Sequence, residues 1–525
     1  MSGEGLHWID YLIIGLYACG MLAIGLYYRR RQTSTDEYFV GNRAMPPLLI
    51  GVSMFATLFS TISYLSTPGE IVKHGPAVLS GMLAIPIVYY IVGYLMVPVY
   101  MANRVTSAYE LLEVKLGLGA RLLGAGLFIL LRLTWMALLI YFASDALVVV
   151  LLGPEADKAL WLPYVTAVTG AIAVCYSALG GLRAVVVTDA IQFLLLFSGA
   201  LLVLAFVSLR LGGFGWVPTQ WNPHWDQQPL FSLSPAVRVT VFGSMLHGGL
   251  WWICTAGGDQ TAVQRFMSTR DAAAARRSFL FNSIANAAVS VVLAFVGFAL
   301  LGYFLSDSSR LPPGWTIAED ADQLFPHFLS DHLPIGLSGL VISGMFAAAM
   351  SSLDSGINSI SAVVTTDFVD RFRSEPMPEK THVRLSTFLA LGVGLAVVGA
   401  SSWMMYVPGN FLEISQRTQG IMVAPIFVLF FLALFRPGST QVGAILGAAV
   451  SNVTGILVAY WAQLTIEIKE HLFWPDSLSW MVGQEISFQW ILPVSLIVGI
   501  ACGWLVGGVS RLVVSRKSAN SRTVE

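Results

Sequence analysis

Long apolar runs, separated by short polar stretches in which arginines collect, set the plan of this chain. A helix needs about 20 apolar residues to cross a bilayer. Runs of that order recur at roughly 8–28, 48–71, 76–103, 122–152, 160–179, 184–209, 239–264, 278–305, 334–364, 385–406, 410–435, 440–465 and 489–512, thirteen in all. Their length and continuity predict an all-α membrane protein, with polar residues inside a run as the features that need explaining.

Composition agrees. Hydrophobic residues make up 56% of the 525 and charged residues 11%, against about 25% charged in soluble domains, so the chain lacks the polar surface to cover itself in water. A net charge of −1 gives no basic excess for nucleic acid. Cys19, Cys175, Cys254 and Cys502 lie in apolar runs without metal-ligand spacing and read as small core residues rather than a disulfide framework. The first run follows no basic segment and ends on Arg29-Arg30-Arg31, which predicts a retained anchor rather than a cleaved signal peptide.

Basic residues also predict orientation. With the N-terminus outside, 21 of the 29 Lys and Arg fall in cytoplasmic segments, among them Arg121, Arg265 and Arg371. Six fall outside, and Arg132 and Arg417 lie within spans. The split places the C-terminus in the cytoplasm.

Two runs are interrupted. Span two, LLIGVSMFATLFSTISYLSTPGEIV, is crowded with Ser, Thr and Gly before Pro68, and span seven ends in Cys254-Thr-Ala-Gly-Gly-Asp-Gln260. Such breaks free backbone groups at membrane depth, where only a cavity lining or an ion satisfies them. They stand five spans apart, and an odd number of helices per unit inserts the second unit upside down, the layout of inverted-repeat transporters. The plainer reading is helix-packing Ser and Thr plus a proline kink.

Intramembrane charge sharpens the picture. Arg132 follows Arg121 by eleven residues, about 16 Å along a helix and so near the midplane. A charge there costs about 2.5–3.5 kcal/mol on insertion scales, so it needs a cavity or a partner. It either grips a carboxylate through two parallel hydrogen bonds or is structurally paired. Asp189 lies in the cytoplasmic half of span six and Asp354 in span nine, where Ala348, Ser351, Ser352 and Ser355 share one helix face. Hard oxygen donors beside a carboxylate suit an alkali cation; small residues also permit tight helix packing. Asp259 and Gln260 either face solute or cap a helix end. No Walker loop, His-Glu-x-x-His run or nucleophile elbow is present, so no enzyme is predicted.

At these residues the sequence resembles the sodium:solute symporter family. YSALGGLRAVVVTDAIQ (176–192) is similar to the family signature, and FATLFSTISYLSTPGEIVKHG, GGDQTAVQRFMSTRDAAAARRS and AAAMSSLDSGINSISAVVTTDFVDRF follow the same pattern in the same order. The resemblance implies a leucine-transporter-type 5+5 inverted-repeat core with one extra N-terminal and two extra C-terminal helices. Residues 1–47 would be the extra helix and its loop, 48–210 the first repeat, 211–436 the second with its preceding extracellular loop, and 437–525 the last two helices and tail.

It also implies sites. The main sodium site would take the carbonyls of Ala56, Phe59 and Ala348 with the hydroxyls of Ser351 and Ser352. A second would use Asp189, Ser351, Asp354 and Ser355, although Asp354 stands where a hydroxyl residue is expected. Arg132 is similar to the carboxylate-gripping arginine of sialic acid symporters, with Ser60, Thr61 and Ser63 near their substrate; Asp259, Gln260 and Gln416 complete the expected solute-binding set. The glucose-branch sugar pattern is absent, with Ser63 and Met82 at its pocket glutamine and glutamate. The expectation is therefore sodium-coupled symport of a small organic anion, sialic acid or monocarboxylate-like, by a multi-pass monomer in the cell membrane with sodium and lipid as its other partners. A neutral sugar or polyol carrier is the alternative, and a sodium-binding sensor or channel a more distant one.

Overall fold

The computed structural model describes residues 6–29, 35–103, 105–153, 155–375, 377–404, 411–471 and 476–521. Among these, every regular element is helical. The principal helices are α1 (Trp8–Arg29), α2 (Pro47–Leu58), α3 (Thr61–His74), α4 (Leu118–Leu152), α5 (Lys158–Arg210), α6 (Val241–Gly258), α7 (Gln260–Met267), α8 (Ala272–Leu305), α9 (Leu337–Val363), α10 (Glu379–Ser401), α11 (Phe411–Leu434), α12 (Gln441–Ala459) and α13 (Ile491–Ser521). Residues 76–103 form a further irregular helix in which 3-10, α and π turns alternate.

Among the described residues, ten helices are long and apolar enough to cross a membrane, eleven when α2 and α3 count as one bent span. The other two runs read from the sequence coincide with the first part of α5 and with α6. α5 is broken at Gly181, where φ is 59°, a left-handed value that glycine adopts without a Cβ clash. α6 carries five glycines and stops at the interruption foreseen in the sequence.

Buried α4 and α9 stand at the centre, and α2, α5, α10 and α11 pack around them. α12 and α13 form a hairpin in which Gly447 faces Gly499 and Gly503 so closely that a Cβ on Gly447 would lie 2.7 Å from the Gly499 carbonyl. α1 docks through Asp10, a buried carboxylate that accepts hydrogen bonds from Gly336 N at 2.8 Å and Gly339 N at 2.7 Å. These are N–H groups that α9 cannot satisfy internally, so one helix caps another.

Arg265 corrects the charge count. It belongs to α7 and is fully buried, not in a cytoplasmic loop, because α7 continues span seven into the protein. The bias of the remaining arginines keeps its direction.

Candidate functional site

The two interruptions are true breaks. α2 and α3 meet at 65°, and the hinge is Phe59-Ser60, whose backbone is extended (φ −94°, ψ 111° and φ −108°, ψ 173°). Pro68 lies inside the continuous α3, so the bend comes from the polar run ahead of it and not from a proline kink. Ser60 caps α3 by accepting from Ser63 N at 3.5 Å. α6 and α7 are likewise separated by the extended Asp259 (φ −95°, ψ 122°).

α9 crosses the first break with its hydroxyl face. Ser351 Oγ donates to the Ala56 carbonyl at 2.7 Å and lies 3.2 Å from the Ala348 carbonyl. Ser352 Oγ donates to the Thr57 carbonyl at 2.9 Å. Four of the five residues expected at the main sodium site are thereby gathered, and the fifth, Phe59, is the extended residue that ends α2. The donor set is all oxygen, the chemistry that hard cations select.

A second polar cluster lies a turn away. Ser53 Oγ donates to Asp189 Oδ2 at 2.5 Å, and Arg265 reaches Ser53 Oγ through Nε at 2.9 Å, Asp189 Oδ2 at 3.4 Å and Ser355 Oγ at 2.5 Å. Ser355 Oγ also lies 2.8 Å from Thr57 Oγ1 and 3.2 Å from Asp354 Oδ1. Asp189 Oδ1 is buried with no partner. Asp189, Asp354 and Ser355 are therefore together, with one guanidinium beside two carboxylates. Ser53, Thr57 and Arg265 escape a sequence reading. The spacing of Ser53 and Thr57, one helical turn, is the only signal they carry.

Arg132 is buried, and its partner is internal: one guanidinium nitrogen donates to Asp259 Oδ2 and, at 3.0 Å, to Thr261 Oγ1. Asp259 Oδ1 caps α7 through Thr261 N at 2.8 Å and Thr261 Oγ1 at 2.6 Å. Carbonyls freed by the α6 break are taken up by tyrosines: Tyr109 Oη donates to Gly258 O at 3.0 Å and Tyr100 Oη to Gly257 O. Gln260 holds Thr106 O at 2.7 Å and Ala108 N at 2.8 Å. It is thus spent on the 106–108 backbone.

A cavity of about 220 Å³ lies over the first break, lined by Phe59, Ser63, Trp135, His247, Trp251 and Gln416 among others. A second space of about 230 Å³ shares Thr67, Trp252, Asn286 and Gln416 with it and reaches Glu70. Of the expected solute residues, Ser63 and Gln416 line this space. Ser60, Thr61, Arg132, Asp259 and Gln260 are not among its lining residues. His247 Nδ1 and Gln416 Oε1 are buried at the wall without partners. His247, Trp251, Asn286 and Gln419 were not foreseen, because an aromatic or amide in an apolar run reads equally well as lipid-facing or packed.

Comparison with known proteins agrees with this architecture. The sequence model of the Sodium:solute symporter family matches residues 38–451. The sodium/sialic acid symporter SiaT of Proteus mirabilis is 27% identical over 473 residues, covering 87% of this chain and 90% of that protein. The human sodium-coupled monocarboxylate transporter 1 is 27% identical over 472 residues, covering 87% and 74%. Among solved structures, the substrate-bound outward-open state of a Na+-coupled sialic acid symporter superposes with a TM-score of 0.79 over 95% of this chain and 97% of that one, at 24% identity.

Proposed function

This chain belongs to the sodium:solute symporter family, and we propose, on that premise, that it carries a small organic carboxylate inward together with two sodium ions by alternating access. It is a multi-pass membrane transporter and not an enzyme; sodium is its coupling ion and a small organic molecule its solute. The proposal concerns the solute, the stoichiometry and the residues.

Arg132 carries the carboxylate assignment. It is a buried guanidinium on α4, one turn below Trp135 on the same helix face, and Trp135 lines the cavity. The two relatives named above are called sialic acid and monocarboxylate carriers, and both solutes bear a carboxylate. Ser63, His247, Gln416 and Gln419 would take the solute's remaining polar groups, with Trp135 and Trp251 against its apolar faces; Ser60 and Thr61 shape the hinge beneath.

Sodium at the carbonyls of Ala56, Phe59 and Ala348 and the hydroxyls of Ser351 and Ser352 would join α9 to the α2 hinge. A second ion at Asp189, Asp354 and Ser355 would take oxygen donors from two carboxylates and a hydroxyl, among them the Asp189 Oδ1 that is buried without a partner. Energetics favour two. A tenfold sodium gradient is worth about 1.4 kcal/mol, and 100 mV about 2.3 kcal/mol per net charge. One sodium with a monoanion is electroneutral and supports about tenfold accumulation, whereas two supply about 5.1 kcal/mol, several thousandfold.

The architecture that goes with this reading is thirteen spans in a monomer, N-terminus outside. Repeats at 48–210 and 211–436 would be flanked by the 1–47 helix and the 437–525 hairpin and tail. A neutral sugar or polyol is the second reading, favoured by the uncharged walls of the cavity. Sodium-dependent uptake by proteoliposomes of N-acetylneuraminate, lactate, pantothenate, glucose and inositol decides between them. Uptake of a carboxylate that is lost in Arg132→Gln supports the proposal, and inositol or glucose uptake that survives Arg132→Gln overturns it.

A further inference from the structure

Arg132 and Asp259 form a buried pair that is complete on one side only. Asp259 uses both oxygens, Oδ2 on Arg132 and Oδ1 on Thr261 N and Thr261 Oγ1. Arg132 spends a single terminal nitrogen, and its Nε is buried with no acceptor. A guanidinium offers a fork of donors suited to two carboxylate oxygens at once, and here half of that fork is unused.

The pair also lies next to the cavity. Trp135 lines the cavity and Arg132 is one turn nearer the cytoplasmic end of α4, so the pair lies just beneath the cavity floor. Asp259 is itself the joint between α6 and α7. Breaking such a pair by withdrawing one partner is strongly unfavourable, because the other charge is left bare. Arg132 can release Asp259 cheaply only while another carboxylate takes its place. Asp259 meanwhile keeps its cap on Thr261.

We infer that Asp259 is the resident anion of the Arg132 fork, a carboxylate that the solute's own carboxylate displaces, so that Asp259 sets the selectivity for anions and couples their arrival to the α6–α7 joint. This rests on the carboxylate reading above. No bond is made or broken covalently; Arg132 exchanges one carboxylate for another, and the region gains the solute's negative charge, which an entering sodium ion offsets. A solute without a carboxylate leaves both charges unpaired and is rejected on that ground. Asp259 thereby acts through Arg132 as a positioning residue.

The test uses formate, the smallest carboxylate, as probe. The melting temperature of the purified full-length protein is measured in sodium formate and in sodium chloride at equal sodium concentration, since a ligand of the native state raises apparent stability. Asp259→Ala should gain a formate-dependent rise that the unaltered protein and the Arg132→Gln/Asp259→Ala double variant lack. Equal formate responses in all three, or none in Asp259→Ala, overturn the inference. Should Asp259→Ala not fold, Asp259→Asn, which keeps the cap, replaces it under the same criteria. The two readings fail separately: an unaltered protein that carries inositol alone, beside an Asp259→Ala that captures formate, removes the solute assignment and leaves the fork exchangeable.

Discussion

The Ser351 hydroxyl donates to the Ala56 carbonyl across 2.7 Å, and with the Ser352 bond to the Thr57 carbonyl it ties the central helix α9 to the hinge between α2 and α3. The same two oxygens, with the Ala348 carbonyl 3.2 Å from the hydroxyl, are those a sodium ion would share. In the structure the hydroxyl proton stands between the Ser351 and Ala56 oxygens. With the ion bound, the proton must turn away and the cation replaces it, so the hinge is held through charge rather than through a neutral hydrogen bond, whose net worth is about 1 kcal/mol. A ligand shifts a conformational equilibrium only by its difference in affinity for the two states, and a site made from both sides of a hinge provides such a difference.

Stoichiometry follows from the second cluster. Asp189 has an unpartnered buried oxygen, and Asp189→Asn removes the charge that would hold a second sodium. At a tenfold sodium gradient and 100 mV, accumulation of a monoanion in proteoliposomes should fall from several thousandfold to about tenfold. Unchanged accumulation would contradict the two-ion account.

Arg238 clamps two helices at the edge of the space lined by Gln416. It grips Glu70 of α3 through two bonds of 2.7 and 3.0 Å and Glu413 of α11 through Nε at 2.8 Å, over the space that leads to Gln416. Arg238→Gln should therefore raise the reaction rate of a cysteine placed by Gln416→Cys with a membrane-impermeant thiol reagent from outside. On the order of tenfold is expected, the loss of about 1.4 kcal/mol of closure. An unchanged rate would show that the clamp does not close that space.

Asp10 caps α9 from another helix. Replacing a capping carboxylate by Ala costs about 0.5–2 kcal/mol; because Asp10 is buried and serves Gly336 and Gly339 together, the upper half of that range is expected for Asp10→Ala. Asp10→Asn, which keeps an acceptor, should recover most of the melting temperature. Equal losses in both variants would mean that charge, not capping, holds α1 in place.

A pH dependence belongs to the outer loop. His327 and His332 both donate through Nε2 to the Arg310 carbonyl at 3.2 Å. Burial, and secondarily the neighbouring His327, push His332 down from 6.5 to about 4. The unfolded chain then binds more protons than the folded one between these values, so stability is full above the unfolded value and declines as pH falls from 6.5 toward 4. Melting temperature against pH should show this decline, and His332→Gln should flatten it; an equally steep decline in the variant would assign it elsewhere.

How much of this was legible in the sequence depends on how local each feature is. Apolar runs gave the helices, since crossing length is a property of one segment. Both breaks and the shared face of Ala348, Ser351, Ser352 and Ser355 were visible for the same reason. The partner of Arg132 was not, because Asp259 lies 127 residues away and both residues had reasons of their own to be polar. Arg265 was misplaced among the loops, since its burial depends on Ser53, Asp189 and Ser355 arriving from three other helices. The bend in span two was visible, but its hinge lies at Phe59-Ser60 instead of at Pro68, because extended backbone and a serine cap, not the ring, end the helix.

The most direct test of the account is the melting temperature of the purified protein in sodium chloride and in potassium chloride at equal ionic strength, for the unaltered chain and for Ser351→Ala. Binding to the native state raises apparent stability in proportion to the logarithm of ion concentration over its dissociation constant. The account predicts a sodium-specific rise in the unaltered protein that Ser351→Ala largely loses. The same rise in both salts, or a sodium rise retained in full by Ser351→Ala, would contradict the placement of the coupling ion between α9 and the α2 hinge.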